Sequence, residues 1–271
     1  MIKKSTVRGH LPKDLALDEA LRIIKDAGFD GVQLHIGAED GDVSLKMSDK
    51  EVRDRAKLVR SHGLQVHSLM PSLGRMLDPD ANVRREVVER FGRALAAAKL
   101  MGIRVLLVHP GMVNEQCPYD QAYAWCTEAF RTLLPIAEKT RCCLAIENVW
   151  NKFLLSPLEA AAFVDQFNSP AARFYFDVGN IIPYGFAEQW IRILGSRIAE
   201  VHFKDFRRSL GTGSGFVPLL AGDVNWPAVM AELRAIKFRG FACAEQGRYA
   251  HDAGWQSLKD VSTAMDAIFR M

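Results

Sequence analysis

Acidic and imidazole side chains mark the ends of short apolar runs in the second half of this chain. Cys143-Leu144-Ala145-Ile146 leads into Glu147, Phe174-Tyr175-Phe176 into Asp177, and Phe241-Ala242-Cys243-Ala244 into Glu245; Ala199-Glu200-Val201-His202-Phe203-Lys204-Asp205 carries His202. Strand alternation can put Glu147, Asp177, His202 and Glu245 on an inner face, with Ile146, Phe176, Val201 and Ala244 facing outward. Three carboxylates gathered together repel one another unless a positive charge sits between them. A divalent cation is the economical answer. Three oxygen donors and one imidazole suit Mn²⁺, Mg²⁺, Co²⁺ or Zn²⁺ and do not select one. Taken singly, each residue has a plainer explanation: a carboxylate ending a strand caps a loop or joins an ion pair, and a core histidine is hydrogen-bonded. Together, on consecutive strands, the four favour a metal centre.

The elements that must position them are legible as alternating runs. Strands are expected at Lys4–Val7, Gly31–Ile36, Leu64–Leu69, Arg104–His109, Cys143–Glu147, Arg173–Asp177, Ile198–Phe203 and Phe241–Glu245, short and apolar like buried parallel strands. Helical runs lie between them. Leu17–Ala27 stops at Gly28, Ser48 and Glu51 have the spacing of a capping box for Asp49–Ser61, and Val83, Val87, Phe91, Ala94, Leu95 and Ala98 trace one stripe along Asn82–Met101. Tyr119–Lys139, Pro157–Phe167, Ala187–Leu194, Pro227–Ile236 and Trp255–Phe269 complete the set. Eight β-then-α units, roughly 34 residues each, predict a single (β/α)8 TIM barrel domain over residues 1–271. A doubly wound sheet would show an early glycine-rich phosphate turn. Gly211-Thr212-Gly213-Ser214-Gly215 comes late and leads to Phe216 and Val217, so it reads as a mobile loop.

The segments Ile146-Glu147-Asn148-Val149-Trp150-Asn151, Phe176-Asp177-Val178-Gly179-Asn180, Val201-His202-Phe203-Lys204-Asp205, Ala244-Glu245 and Ala221-Gly222-Asp223-Val224-Asn225-Trp226-Pro227 resemble the xylose isomerase-like TIM-barrel superfamily, and within it the sugar-phosphate isomerases/epimerases and ketose 3-epimerases. The resemblance covers nearly the whole chain. It implies that Glu147, Asp177, His202 and Glu245 bind one divalent metal ion and that Glu147 and Glu245 serve as the acid/base pair. It also implies that Arg208, with Arg207 as a neighbouring contender, contacts the substrate. Where ketose 3-epimerases often carry a histidine three residues after the strand-six aspartate, this chain has Asn180, which can donate to a sugar hydroxyl but cannot carry a proton charge.

The expected activity is epimerisation or isomerisation of a small ketose or ketose phosphate through abstraction of the C3 proton and an enediolate, with the two glutamates dividing proton removal and delivery. Trp150 and Lys204 are further candidate substrate contacts, Trp150 equally a packing residue and Lys204 equally a partner for Asp205. Glu200 reads as a partner for a metal ligand or as one half of a buried ion pair. His67 and His109, ending strands three and four, read as pocket-lining or buried histidines. They also raise the alternative of a nuclease like endonuclease IV, whose site needs a histidine at position 180 and an Asp-x-His pair absent from Gly222–Trp226. A lyase like the inosose dehydratases shares the same barrel and metal logic, and a sugar-binding relative without turnover is the non-enzymatic reading.

Composition narrows the rest. Apolar residues make up 49% of 271 and charged residues 25%, which excludes disorder, collagen and a coiled-coil rod. A net charge of +3 suggests no nucleic-acid partner, and no apolar run is long enough to span a membrane. Five cysteines without a CxxC spacing read as free thiols in the cytoplasm. A homo-oligomer, dimer or tetramer, stays open, since no exposed stripe argues for one.

Overall fold

Every expected strand forms in the computed structural model, which describes residues 1–271. The strands are β1 (Lys3–Val7), β2 (Gly31–Gly37), β3 (Gln65–Ser72), β4 (Val105–Val108), β5 (Cys143–Glu147), β6 (Ala172–Asp177), β7 (Ile198–Phe203) and β8 (Phe241–Ala244). Each lies beside its sequence neighbours, and β1 pairs with both β2 and β8, so the parallel ladder closes on itself. This is the eight-stranded parallel TIM barrel that the alternating pattern predicts.

The helices are α1 (Leu17–Asp26), α2 (Asp49–Ser61), α3 (Ala81–Met101), α4 (Tyr119–Thr140), α5 (Pro157–Asp165), α6 (Ala187–Leu194), α7 (Trp226–Ala235) and α8 (Gln256–Arg270). Their starts follow local chemistry. The Ser48–Glu51 box closes at α2, with the Ser48 N–H donating to Glu51 Oε2 at 2.7 Å. Asp80, Ser156 and Asn225 accept backbone N–H groups at the starts of α3, α5 and α7. No helix is long and apolar enough to cross a membrane.

The chain packs as two compact units. The first comprises residues 1–33, 58–66 and 176–271. Its core includes Ala20, Leu21, Ile23 and Ile24 of α1 and Leu258, Val261, Met265 and Ile268 of α8, all buried. Phe203 of β7 lies 4.8 Å from the Trp226 ring. Lys4 is buried and its ammonium is neutralised by Asp266 at 2.7 Å. The second unit comprises residues 34–57 and 67–175. There Phe163 of α5 meets Phe130, Tyr123 and Phe153 edge-on at 5.3, 5.4 and 6.0 Å. Truncating such a buried ring costs about 3–5 kcal/mol.

Two local expectations change. The glycine-rich stretch lies inside a short hairpin: Asp205–Phe206 pairs antiparallel with Phe216–Val217, the Arg207 N–H donates to the Gly215 carbonyl at 2.8 Å, and Gly213–Gly215 forms a 3-10 turn. Phe206 packs so closely on Gly215 that a Cβ there would lie 2.4 Å from its ring. In addition, β8 ends at Ala244, so Glu245 lies one residue beyond the strand.

Candidate metal centre

Glu147 closes β5, Asp177 closes β6, His202 lies within β7 and Glu245 follows β8. The first three are buried, and the Glu245 side chain keeps 29% exposure. One potential ligand atom from each of the four lies within 4.8 Å of the others. His202 Nδ1 stands 3.1 Å from Glu245 Oε2 and 3.9 Å from Asp177 Oδ2. Its other nitrogen, Nε2, meets Gln33 Oε1 at 3.1 Å. An amide oxygen only accepts, so Nε2 carries the proton and the Nδ1 lone pair turns to the acids. That tautomer can donate electrons to a cation.

Lys204 enters the same cluster. It sits two residues after His202, on the same side of the extended chain, and its ammonium lies 2.8 Å from Glu245 Oε2 and 3.0 Å from Asp177 Oδ2. Gly179 makes room for it, because a Cβ there would come within 2.5 Å of the Lys204 Cβ. Lys204 brings one positive charge against three carboxylates. Charge balance and the donor set therefore fit a divalent cation.

The alternation that sends Lys204 to the acids sends Asp205 the other way. Lys204 and Asp205 do not pair. The buried Asp205 carboxylate accepts the N–H groups of Phe206 at 2.9 Å, Leu220 at 2.9 Å and Val224 at 3.3 Å, and the Trp226 indole N–H at 3.1 Å. A Cβ on Gly222 would fall 2.1 Å from Asp205 Oδ1. The Asp223 carboxylate accepts the Arg208 N–H at 2.7 Å, and Asn225 caps α7. The Ala221–Pro227 segment thus folds the chain around Asp205.

The remaining candidates divide by distance from the acids. His109 Nε2 is bonded to Glu147 Oε2. The Asn180 backbone N–H donates to Asp177 Oδ1 at 2.8 Å, and its side chain is buried. His67 is buried, its Nδ1 beside Ser68 Oγ at 3.1 Å. Trp150 is half-buried three residues after Glu147. The Arg208 guanidinium is held against the segment that follows Asp177, with Nε donating to the Ile182 carbonyl at 3.0 Å and the group over the Phe186 ring at 5.9 Å. Glu200 is buried and accepts the Phe241 N–H at 2.6 Å, at the start of β8; burial pushes its carboxyl up to about 8, with the Phe241 bond and the neighbouring His202 ring opposing. The five cysteines are free thiols.

Sequence reasoning missed Gln33, an amide inside an apolar strand with no chemical signature of its own. Its position in β2, on the same strand face as His35, was the available hint.

The fold has known relatives. The sequence profile of a group described as xylose isomerase-like TIM barrel matches residues 21–267. A protein of Escherichia coli K12 named "Putative L-ribulose-5-phosphate 3-epimerase SgbU" is 26% identical over 249 residues, 85% of this chain and 83% of that one. Among solved structures, the 3-keto-D-glucoside 4-epimerase YcjR of E. coli superposes with a TM-score of 0.80 at 15% identity, over 98% of this chain and 100% of that one. A D-psicose 3-epimerase does so with a TM-score of 0.78 at 16% identity, over 98% of each chain.

Proposed function

The chain belongs to the xylose isomerase-like TIM barrel family, and from that premise we propose that it is a divalent-metal-dependent epimerase acting on a small ketose or ketose phosphate. The observation that carries this reading is the meeting of four ligand atoms, from the ends of strands five to eight, within 4.8 Å. The names of its relatives, L-ribulose-5-phosphate 3-epimerase among them, support the substrate class. Glu147, Asp177, His202 and Glu245 would hold the ion, within a single catalytic domain spanning residues 1–271. When bound, a divalent cation supplies Lewis acidity that polarises a carbonyl and makes the adjacent C–H more acidic.

The chain's own groups then handle the protons. Epimerisation removes a proton from one face of the carbon and returns one to the other, which a single base is poorly placed to do. Glu147 and Glu245 divide the work, one accepting and the other donating. His109 holds one oxygen of Glu147, so that carboxylate presents a fixed edge. Lys204 lies against Glu245 and keeps a donor beside it for a sugar oxygen. Arg208 offers the remaining edge of its guanidinium to a hydroxyl or phosphate. Asn180, Trp150 and His67 complete the substrate contacts of this reading.

The test is incubation of the Mn²⁺-loaded protein with free and phosphorylated ketoses in D₂O, followed by proton NMR. We expect deuterium at C3 of one ketose and appearance of its C3 epimer, loss of both with EDTA, and recovery on adding Mn²⁺. An unsaturated product would replace epimerisation by dehydration. Absence of exchange into every ketose by a protein that binds Mn²⁺ would refute turnover.

A further inference from the structure

Three of the four clustered residues lie within strands, and Glu245 does not. It lies past the end of β8, and the chain after it has no regular structure until the turn at Ala253–Trp255. Its own N–H is held by the Phe203 carbonyl at 3.1 Å. On its other side the next residue, Gln246, is held twice. The Gln246 side-chain oxygen accepts the Leu219 N–H at 3.0 Å. Its backbone carbonyl meets His10 Nδ1, also at 3.0 Å.

His10 closes the short turn that follows β1 and is 2% exposed. Its second nitrogen, Nε2, is 2.9 Å from Ser257 Oγ. Ser257 is fully buried at the start of α8, where Asp252 accepts its N–H at 2.8 Å; its hydroxyl stands 2.5 Å from Asp252 Oδ2 and has one proton to share between that oxygen and His10 Nε2. One imidazole therefore ties the end of β1 to both ends of the segment between Glu245 and α8. A carbonyl can only accept, so Nδ1 must donate to Gln246. The Ser257 arm fixes the plane of the ring, and the Gln246 arm fixes the peptide that leaves Glu245. Burying a histidine with both nitrogens engaged is costly to arrange, since a plain apolar side chain could fill the same space.

We infer that His10 is a positioning residue for Glu245, acting through the backbone carbonyl of Gln246. The inference rests on the proposed role of Glu245 as metal ligand and acid/base group. Small displacements of a reacting carboxylate are costly: about 1 Å removes roughly a hundredfold in rate. His10 prevents that displacement without touching the substrate.

The two nitrogens can be tested separately. An asparagine amide nitrogen lies near the place of histidine Nδ1, and a glutamine amide nitrogen near that of Nε2. His10→Asn keeps a donor for Gln246 and loses the Ser257 arm; His10→Gln does the reverse. His10→Ala loses both. For the Mn²⁺-loaded enzyme we expect His10→Ala to lower kcat by about tenfold or more at little changed KM. His10→Asn should restore most of that loss and His10→Gln should not. Amide hydrogen exchange should accelerate at residues 246–252 in His10→Gln and His10→Ala, and stay near wild type in His10→Asn.

A purely structural histidine would give equal losses in the Asn and Gln variants, with matched falls in melting temperature, and that result overturns the inference. If His10→Ala fails to fold, the Asn–Gln pair still decides. If the wild type turns over no ketose, the proposed function falls. The exchange pattern, together with Mn²⁺ affinities of the Asn and Gln variants, then judges His10 alone: weaker binding in the Gln variant supports it, and equal binding with equal exchange refutes it.

Discussion

Two buried aspartates follow neighbouring runs of this chain and lead opposite lives. Asp205 is enclosed by four N–H donors from Phe206, Leu220, Val224 and Trp226. Asp177 accepts the Asn180 N–H on one oxygen and faces Lys204 and His202 with the other. Fixed dipoles surround the first; groups able to ionise or coordinate surround the second. Fully satisfied by backbone and indole, Asp205 has no capacity to give a ligand and serves to fold a loop. Asp177 is left with an oxygen turned toward charge. Burial alone would not separate the two, since both are almost completely hidden. The donors around each one do.

The sharpest way to test this contrast is to remove each charge in turn. Asp177→Asn should abolish Mn²⁺ binding and lower proton exchange by about a thousandfold or more, as removal of a metal site and its acid/base setting would. Its melting temperature should hold or rise, because repulsion within the cluster is relieved. Isothermal titration with Mn²⁺ and thermal melting on the same sample measure both. Unaltered Mn²⁺ affinity would remove Asp177 from the ligand set.

Asp205→Asn should do the opposite. The amide replaces one acceptor oxygen by a donor that faces other donors. Hydrogen bonds to charged groups are worth about 1.5–3 kcal/mol each, and the net loss should be about 3 kcal/mol. Urea unfolding gives that value, and faster hydrogen exchange at residues 219–226 locates it. Mn²⁺ affinity should change much less than in Asp177→Asn. If Asp205→Asn instead left stability intact and removed the metal, the roles drawn above would be reversed.

The contrast also explains which features the sequence reveals and which it hides. The eight strands are legible because buried parallel strands are short apolar runs, and the ligand set because its residues end those runs. The opposite directions of Lys204 and Asp205 are equally available, since side chains alternate along a strand, yet their adjacency suggests a pair. Asp205's donors come from residues 206–226, where Asp205–Phe206 and Phe216–Val217 are only two residues each and show no period at all. The same holds for Gly215, whose place is set by close packing on Phe206, while Gly211 and Gly213 meet nothing nearby. Nothing local signals a contact across such a loop. Gln33 is hidden for a different reason: its role depends on His202, which lies far along the chain and meets it only in the folded sheet.

Gln33 sharpens the comparison from the side of the ligands. Partners of this kind typically contribute ten- to a hundredfold to metal affinity by fixing the tautomer of the histidine they hold. Gln33→Leu should weaken Mn²⁺ binding by about that factor, with a change in stability well below that of Asp205→Asn. Gln33→Glu should keep the acceptor and retain most of the affinity. Equal affinity in all three proteins would mean that packing alone fixes the His202 ring.

Glu200 supplies the smallest and most specific test, because it is a third buried acid with yet another setting. It holds the Phe241 N–H, and burial outweighs that bond and pushes its carboxyl up to about 8 from an ordinary 4.5. An acid raised in the folded state favours folding while it is protonated. Its contribution is therefore complete below about 4.5 and is lost as the pH rises through about 8. Measured with EDTA present, the melting temperature of the wild type should fall between those limits. Glu200→Gln keeps an acceptor for Phe241 and removes the titration, so its melting temperature should stay nearly level over the same range and exceed the wild type at the alkaline end. Parallel curves for the two proteins would show that Glu200 is ionised in the fold, and the distinction between a charged and a protonated buried acid would then have to be sought in backbone geometry instead of in the surrounding donors.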